Sequence, residues 1–61
     1  MNDKLIESYE ELKILVELLQ KEVVKNSQGN KSAGVRTRKA LRSLKKIAAE
    51  LVKSSLSADK E

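Results

Sequence analysis

The sequence predicts an all-α protein: a two-helix antiparallel hairpin that assembles as a dimeric four-helix bundle. Apolar residues recur at helical spacing through two long stretches, and a short polar segment containing a glycine separates them. The chain has only 61 residues and no cysteine. A chain this short rarely buries enough apolar surface without a disulfide, a metal or a partner subunit, so we expect a second copy to complete the core.

The first helix is predicted over about residues 3–27, because no proline or glycine interrupts that stretch. Asn2 or Asp3 can cap its start. Leu5, Leu12 and Leu19 recur every seventh residue, and a second row adjoins them, formed by Tyr9, Val16 and Val23. The two rows predict a coiled-coil-like seam in which the Tyr9 ring is packed.

Two further apolar residues of this helix, Ile14 and Leu18, lie beside Leu15 and away from that seam. A solvated surface would carry polar residues there. The first helix is therefore expected to pack against two neighbours at once.

A turn is predicted over residues 28–31, with Gly29 in the left-handed conformation and Asn30 or Ser32 as the N-cap of the next helix. The second helix follows over about residues 32–55, and residues 56–61 are expected to fray. One side of this helix is apolar and carries Ala40, Leu41, Leu44, Ile47, Ala48, Leu51 and Val52. Residues 1–61 thus form a single helical-hairpin domain.

Charge is segregated along the chain. The whole chain has 13 basic and 9 acidic residues, a net charge of +4, yet the segment from 31 to 53 carries eight basic residues and one acid. At about 100° per residue most of these cations fall opposite the apolar side, with Arg36 on its edge. We take all eight as candidate DNA-binding residues: Lys31, Arg36, Arg38, Lys39, Arg42, Lys45, Lys46 and Lys53.

A one-sided cationic helix predicts a polyanionic partner. Tyr9 is the only aromatic residue, which disfavours single strands because their binding depends on several stacking rings. Few side chains on the cationic face suit the reading of base edges, so binding to duplex DNA is expected to be largely indifferent to sequence. The plain alternative is a solvated face that only keeps the protein soluble.

Catalytic and metal chemistry have little support. The chain has no histidine and no cysteine, and the glutamates of the first helix have no nucleophile beside them. Gly29 and Gly34 have the spacing of a phosphate-binding loop, but Val35-Arg36 follows where that motif requires Lys-Ser or Lys-Thr. We therefore predict a protein that is not an enzyme and has no cofactor, metal or small-molecule substrate. The absence of a membrane-length apolar run and of a secretory signal predicts a cytoplasmic protein.

The stretch Gly29-Asn30-Lys31-Ser32-Ala33-Gly34-Val35-Arg36-Thr37-Arg38-Lys39-Ala40-Leu41 resembles the signature of the bacterial linker-histone-like nucleoid proteins, the family known from chlamydial chromatin. The resemblance implies DNA binding and compaction in the bacterial nucleoid. It also implies DNA contacts at Lys31, Arg36, Arg38 and Lys39, whereas Arg42 and the later lysines rest on helical geometry alone.

Three functions stay open at this point. A dimer with two outward cationic faces would contact two turns of one duplex or bridge two duplexes, as a histone-like architectural protein does. A small basic bundle would also suit structured RNA. The third possibility is a hairpin that only binds protein, through its acidic and basic helices.

Overall fold

The computed structural model describes residues 3–60, which form two α-helices packed against each other as an antiparallel hairpin. Helix α1 spans Asp3–Ser27 and helix α2 spans Lys31–Asp59. The hairpin is a rod of 47 × 15 × 11 Å between Cα atoms. The fold is therefore all-α, as predicted.

Gly29 and Asn30 reverse the chain in three residues. The amide of Asn30 donates to the Lys25 carbonyl at 3.1 Å and that of Gly29 to the Asn26 carbonyl at 3.0 Å, the Schellman arrangement that ends many helices. Gly29 has a φ of +93°, as predicted. Asn30 is the N-cap of α2, because its Oδ1 accepts from the Ala33 amide at 2.9 Å.

Substituting Gly29 by valine tests the turn. Open space surrounds the position where a Cβ would lie. The expected loss of stability therefore comes from the strained backbone conformation alone. We expect Gly29→Val to lower the free energy of unfolding by about 1–2 kcal/mol, and Gly29→Asn by less, because asparagine tolerates positive φ. Urea denaturation of the two variants measures this difference. Equal stabilities for valine and glycine would contradict the observed turn.

The contact between α1 and α2 follows a three- and four-residue repeat, the pattern of an antiparallel coiled coil. From α1 the least exposed residues are Leu5, Ser8, Leu12, Leu15, Leu19, Glu22 and Asn26. From α2 they are Ala33, Gly34, Thr37, Ala40, Leu44, Ile47, Leu51, Ser54 and Ala58. Large side chains therefore fill the middle of the contact, and small ones lie near the turn and at the opposite end, where Ser8 and Ser54 are found.

Small residues bring the helices close together beside the turn. Ala33 is completely buried, and a Cβ on Gly34 would lie 2.7 Å from Nδ2 of Asn26. Thr37 is also buried here, and its hydroxyl has no hydrogen-bond partner within residues 3–60. Leaving a buried hydroxyl without a hydrogen bond costs about 1–3 kcal/mol. The close approach of the two helices at Thr37 therefore lowers the stability of the hairpin at this point.

Two details differ from the sequence-based expectation. Tyr9 is 54% exposed and Val16 50%, because the row that meets α2 beside the leucines is Ser8, Leu15 and Glu22 rather than the row of Tyr9. Helix α2 continues to Asp59, four residues past the expected end at 55. No proline or glycine stops it there, and the Lys60 amide donates to carbonyls of the last turn.

The hairpin alone leaves much apolar surface in water. Among residues 3–60, the only buried apolar side chains are those of Leu19 and Ala33. The exposed area is 5021 Å², whereas a compact monomer of this size exposes roughly 4,000 Å². Eleven large apolar side chains among residues 3–60 are exposed, and we call the six that lie toward one flank the apolar flank: Ile6, Tyr9, Val16, Val23, Leu41 and Val52.

Candidate nucleic-acid interface

The side of α2 that faces away from α1 carries two rows of cations. Because seven residues make nearly two helical turns, residues seven apart lie in line at intervals of about 10.5 Å. One row contains Lys31, Arg38 and Lys45, and the other contains Lys39, Lys46 and Lys53, with Arg42 between them. We call these seven residues the outer face, and all of them are exposed.

The outer face is long enough to follow a duplex. Lys31 and Lys53 are separated by 22 residues of continuous helix, which is about 33 Å. One turn of B-DNA measures roughly 34–36 Å. A single α2 can therefore present cations to phosphates over a full turn of duplex.

The charges of the outer face are not neutralised by the hairpin. Within residues 3–60 the one salt bridge joins Arg36 to Glu22, so none of the seven cations is paired with an acid of this chain. The single acid between residues 31 and 53, Glu50, is exposed; it lies four residues after Lys46 and three before Lys53 but forms no salt bridge with either within residues 3–60. Cations spaced three and four residues apart repel one another by a few tenths of a kcal/mol per pair, and a bound polyanion would relieve this repulsion.

Arg36 is placed differently from the other predicted site residues. Its Nε donates to Oε2 of Glu22 at 2.8 Å across the helix contact. The pair lies on the flank opposite the apolar flank, and the Arg36 side chain is 52% exposed against 24% for that of Glu22. Part of the Arg36 charge is thus engaged within the fold, whereas the outer face remains free.

Alanine substitutions separate the roles of the two neighbouring arginines. We expect Arg36→Ala to lower the free energy of unfolding by up to about 1 kcal/mol, because it leaves the half-buried Glu22 carboxylate unpaired. Its effect on DNA affinity should be smaller than that of Arg38→Ala, which removes an unpaired cation of the outer face. Thermal denaturation and a DNA titration of both variants check this. A larger loss of DNA affinity for Arg36→Ala would contradict the placement.

One cation of this surface was not predicted from the sequence. Lys60 follows Lys53 by seven residues and extends the row of Lys39, Lys46 and Lys53, since α2 reaches Asp59. The seven-residue repeat could have predicted its position, but residues 56–61 were expected to fray.

Within residues 3–60 no helix is long and apolar enough to cross a membrane.

An α-helical hairpin with a cationic outer face and no asparagine or glutamine on α2 has the features of a protein that binds the nucleic-acid backbone. A family model described as Histone H1-like protein Hc1 matches residues 6–61. The chain belongs to this family of histone-like, nucleoid-associated DNA-binding proteins, which are structural proteins and not enzymes. Neither the curated proteins nor the solved structures gave a significant match.

Proposed function

We propose that this protein binds duplex DNA without sequence preference through the outer face of α2, and coats, compacts or bridges it in the bacterial nucleoid, within the cytoplasm. The observation that carries the proposal is the set of seven unpaired cations distributed over about 33 Å of one helix. Helix α2 contains no asparagine, glutamine or aromatic residue. Phosphate contacts without base contacts give affinity but little specificity.

The working unit in this proposal is a homodimer. Six large apolar side chains, each at least 44% exposed, form the apolar flank, and both helices contribute to it. Packing the apolar flanks of two copies together gives a four-helix bundle, and burial of this surface supplies the stability that the single hairpin lacks. Arg42 and the row of Lys39, Lys46 and Lys53 then lie away from the dimer interface. The row of Lys31, Arg38 and Lys45, which Val52 continues, runs along its edge.

A dimer of this kind offers two DNA-binding surfaces. Each outer face lies on the α2 side of its own hairpin, so the two faces can contact separate turns of one duplex or two different duplexes. Because phosphate contacts do not depend on sequence, such a dimer could bridge or coat any duplex.

A competition experiment tests the choice of partner. A fluorescent random-sequence DNA duplex, bound at low salt, is challenged with unlabelled DNA duplex, structured RNA or single-stranded DNA. We expect the DNA duplex to compete at least as well as RNA, and single strands to compete poorly because the outer face has no stacking ring. Stronger competition by structured RNA would favour the RNA-binding alternative. No retention of any nucleic acid at low salt would favour a purely protein-binding hairpin.

A further inference from the structure

Helix α1 carries a second seam on the flank opposite the apolar flank. Its residues follow the same three- and four-residue repeat as the contact with α2. Each comes one position before a contact residue and therefore lies about 100° from it around the helix. All are exposed, including Ile14 at 57% and Leu18 at 66%. We call these six residues the charged seam: Glu7, Glu11, Ile14, Leu18, Lys21 and Lys25.

Between residues 7 and 25 the order of residue types along the charged seam is symmetrical. Lys4 begins the same row, but its symmetric counterpart would be residue 28, beyond the end of α1. Two acids come first, two apolar residues occupy the centre, and two lysines end it. If a second α1 lies antiparallel on this seam, Ile14 meets Leu18 of the second copy. Glu11 then meets Lys21 of that copy, and Glu7 meets Lys25. Both ends of such a pair are complementary in charge, since the contact is two-fold symmetric.

Within residues 3–60 the hairpin itself forms no salt bridge with these charges, although Glu17 and Lys21 have the four-residue spacing that favours attraction on a helix. Glu7 and Glu11, like Lys21 and Lys25, are like-charge neighbours four residues apart, an unfavourable spacing on an isolated helix. The helix dipole accounts for Lys25 in the last turn, but its effect does not extend to Glu11 and Lys21.

We infer that the charged seam is a second self-association surface, whose partner is the α1 helix of another copy in antiparallel orientation. The centre of the seam lies at residue 16, near the middle of α1, so the two helices overlap over most of their length. This seam has two large apolar residues per chain, against six on the apolar flank. Its contact is therefore the weaker one, formed where copies are concentrated.

This inference rests on the proposed function for its biological meaning. A chain with two different two-fold contacts on opposite flanks, one through the apolar flank and one through the charged seam, joins dimers side by side in a row. No cation of the outer face belongs to either contact. Neighbouring dimers on a duplex would thereby support one another, and DNA would be covered cooperatively.

Charge-swapped variants test the inference without DNA. One variant carries Glu7→Lys and Glu11→Lys, and the other carries Lys21→Glu and Lys25→Glu. Like charges then meet at both ends of each homotypic pair, so sedimentation equilibrium should show the dissociation constant for assembly beyond the dimer rising by about tenfold or more. An equimolar mixture restores opposite charges at both ends and should restore the larger assemblies.

The matched control for the first variant is Glu10→Lys with Glu17→Lys, which makes the same change in net charge on a row of α1 outside the seam. It should assemble more like the wild type than the seam variants do. Circular dichroism checks folding. If a double variant unfolds, the two single variants, Glu11→Lys alone and Lys21→Glu alone, give the same comparison.

Three results would overturn the inference: a wild type that forms nothing larger than a dimer, seam variants that match the control, or a mixture that restores nothing. The proposed function fails by a different result, a loss of duplex binding or of its dependence on the outer face. The two failures are therefore distinguishable.

Discussion

Leu44→Asp is expected to unfold the protein. Leu44 lies in the middle of the contact between α1 and α2, where it is one of the large side chains that fill the contact. A carboxylate at this position has no cation of α1 to pair with in the coiled-coil repeat, and burying an unpaired charge costs several kcal/mol. Little stability is available to offset that cost in so small a chain. Circular dichroism should show loss of helix, and light scattering should show monomer.

The matched control for this change is Leu56→Asp. Leu56 is 58% exposed on the side of α2 away from α1, so the same substitution should leave the helical signal and the mass close to those of the wild type. The wild type should scatter as at least two chains at micromolar concentration. A folded monomer that survives Leu44→Asp, or Leu12→Asp on the facing helix, would contradict the bundle.

Reversing two charges of the outer face is expected to abolish measurable DNA binding at moderate salt while leaving the fold intact. Arg38→Glu with Lys39→Glu removes one cation from each row and adds two charges that repel phosphate. Loss of two phosphate contacts alone lowers affinity by about tenfold or more, and the added repulsion lowers it further. Both side chains are exposed and outside any salt bridge within residues 3–60, so helicity and mass should stay near those of the wild type.

The control for the charge itself is Lys4→Glu with Lys13→Glu on α1, which changes the net charge equally. Fluorescence anisotropy with a random duplex should show a much smaller loss for this variant, because long-range attraction is screened beyond roughly 10 Å at 0.1 M salt. Equal losses for the two variants would mean that net charge, and not the outer face, determines binding.

The helices and the turn were predictable because their signals are local. Gly29 and Asn30 have the residue types that a helix end and a helix start require, and the structure shows a positive φ at the first and an N-cap at the second. The face of each helix that meets the other was harder to predict. Tyr9, Val16 and Val23 form a more apolar row than Ser8, Leu15 and Glu22, yet the second row makes the contact.

The reason lies in interactions between the helices. Glu22 belongs to the contact because Arg36 pairs with it from the other side of the turn, 14 residues away in sequence. Ala33 and Gly34 allow the close approach that sets the rotation of the helices about their axes. Neither effect is visible in the periodicity of one helix. Arg36 takes part in this pairing and does not belong to the outer face. The positions of the other seven predicted cations follow from the helical repeat of α2, which the sequence predicts.

The salt dependence of DNA binding tests the central claim most directly. If four to six cations of the outer face displace counterions, the logarithm of the binding constant should fall against the logarithm of salt concentration with a slope of roughly −4 to −5. The slope and the affinity should be nearly the same for random and AT-rich duplexes. A slope near zero, a strong preference for one sequence, or no binding at about 50 mM salt would contradict sequence-independent binding through the outer face of α2.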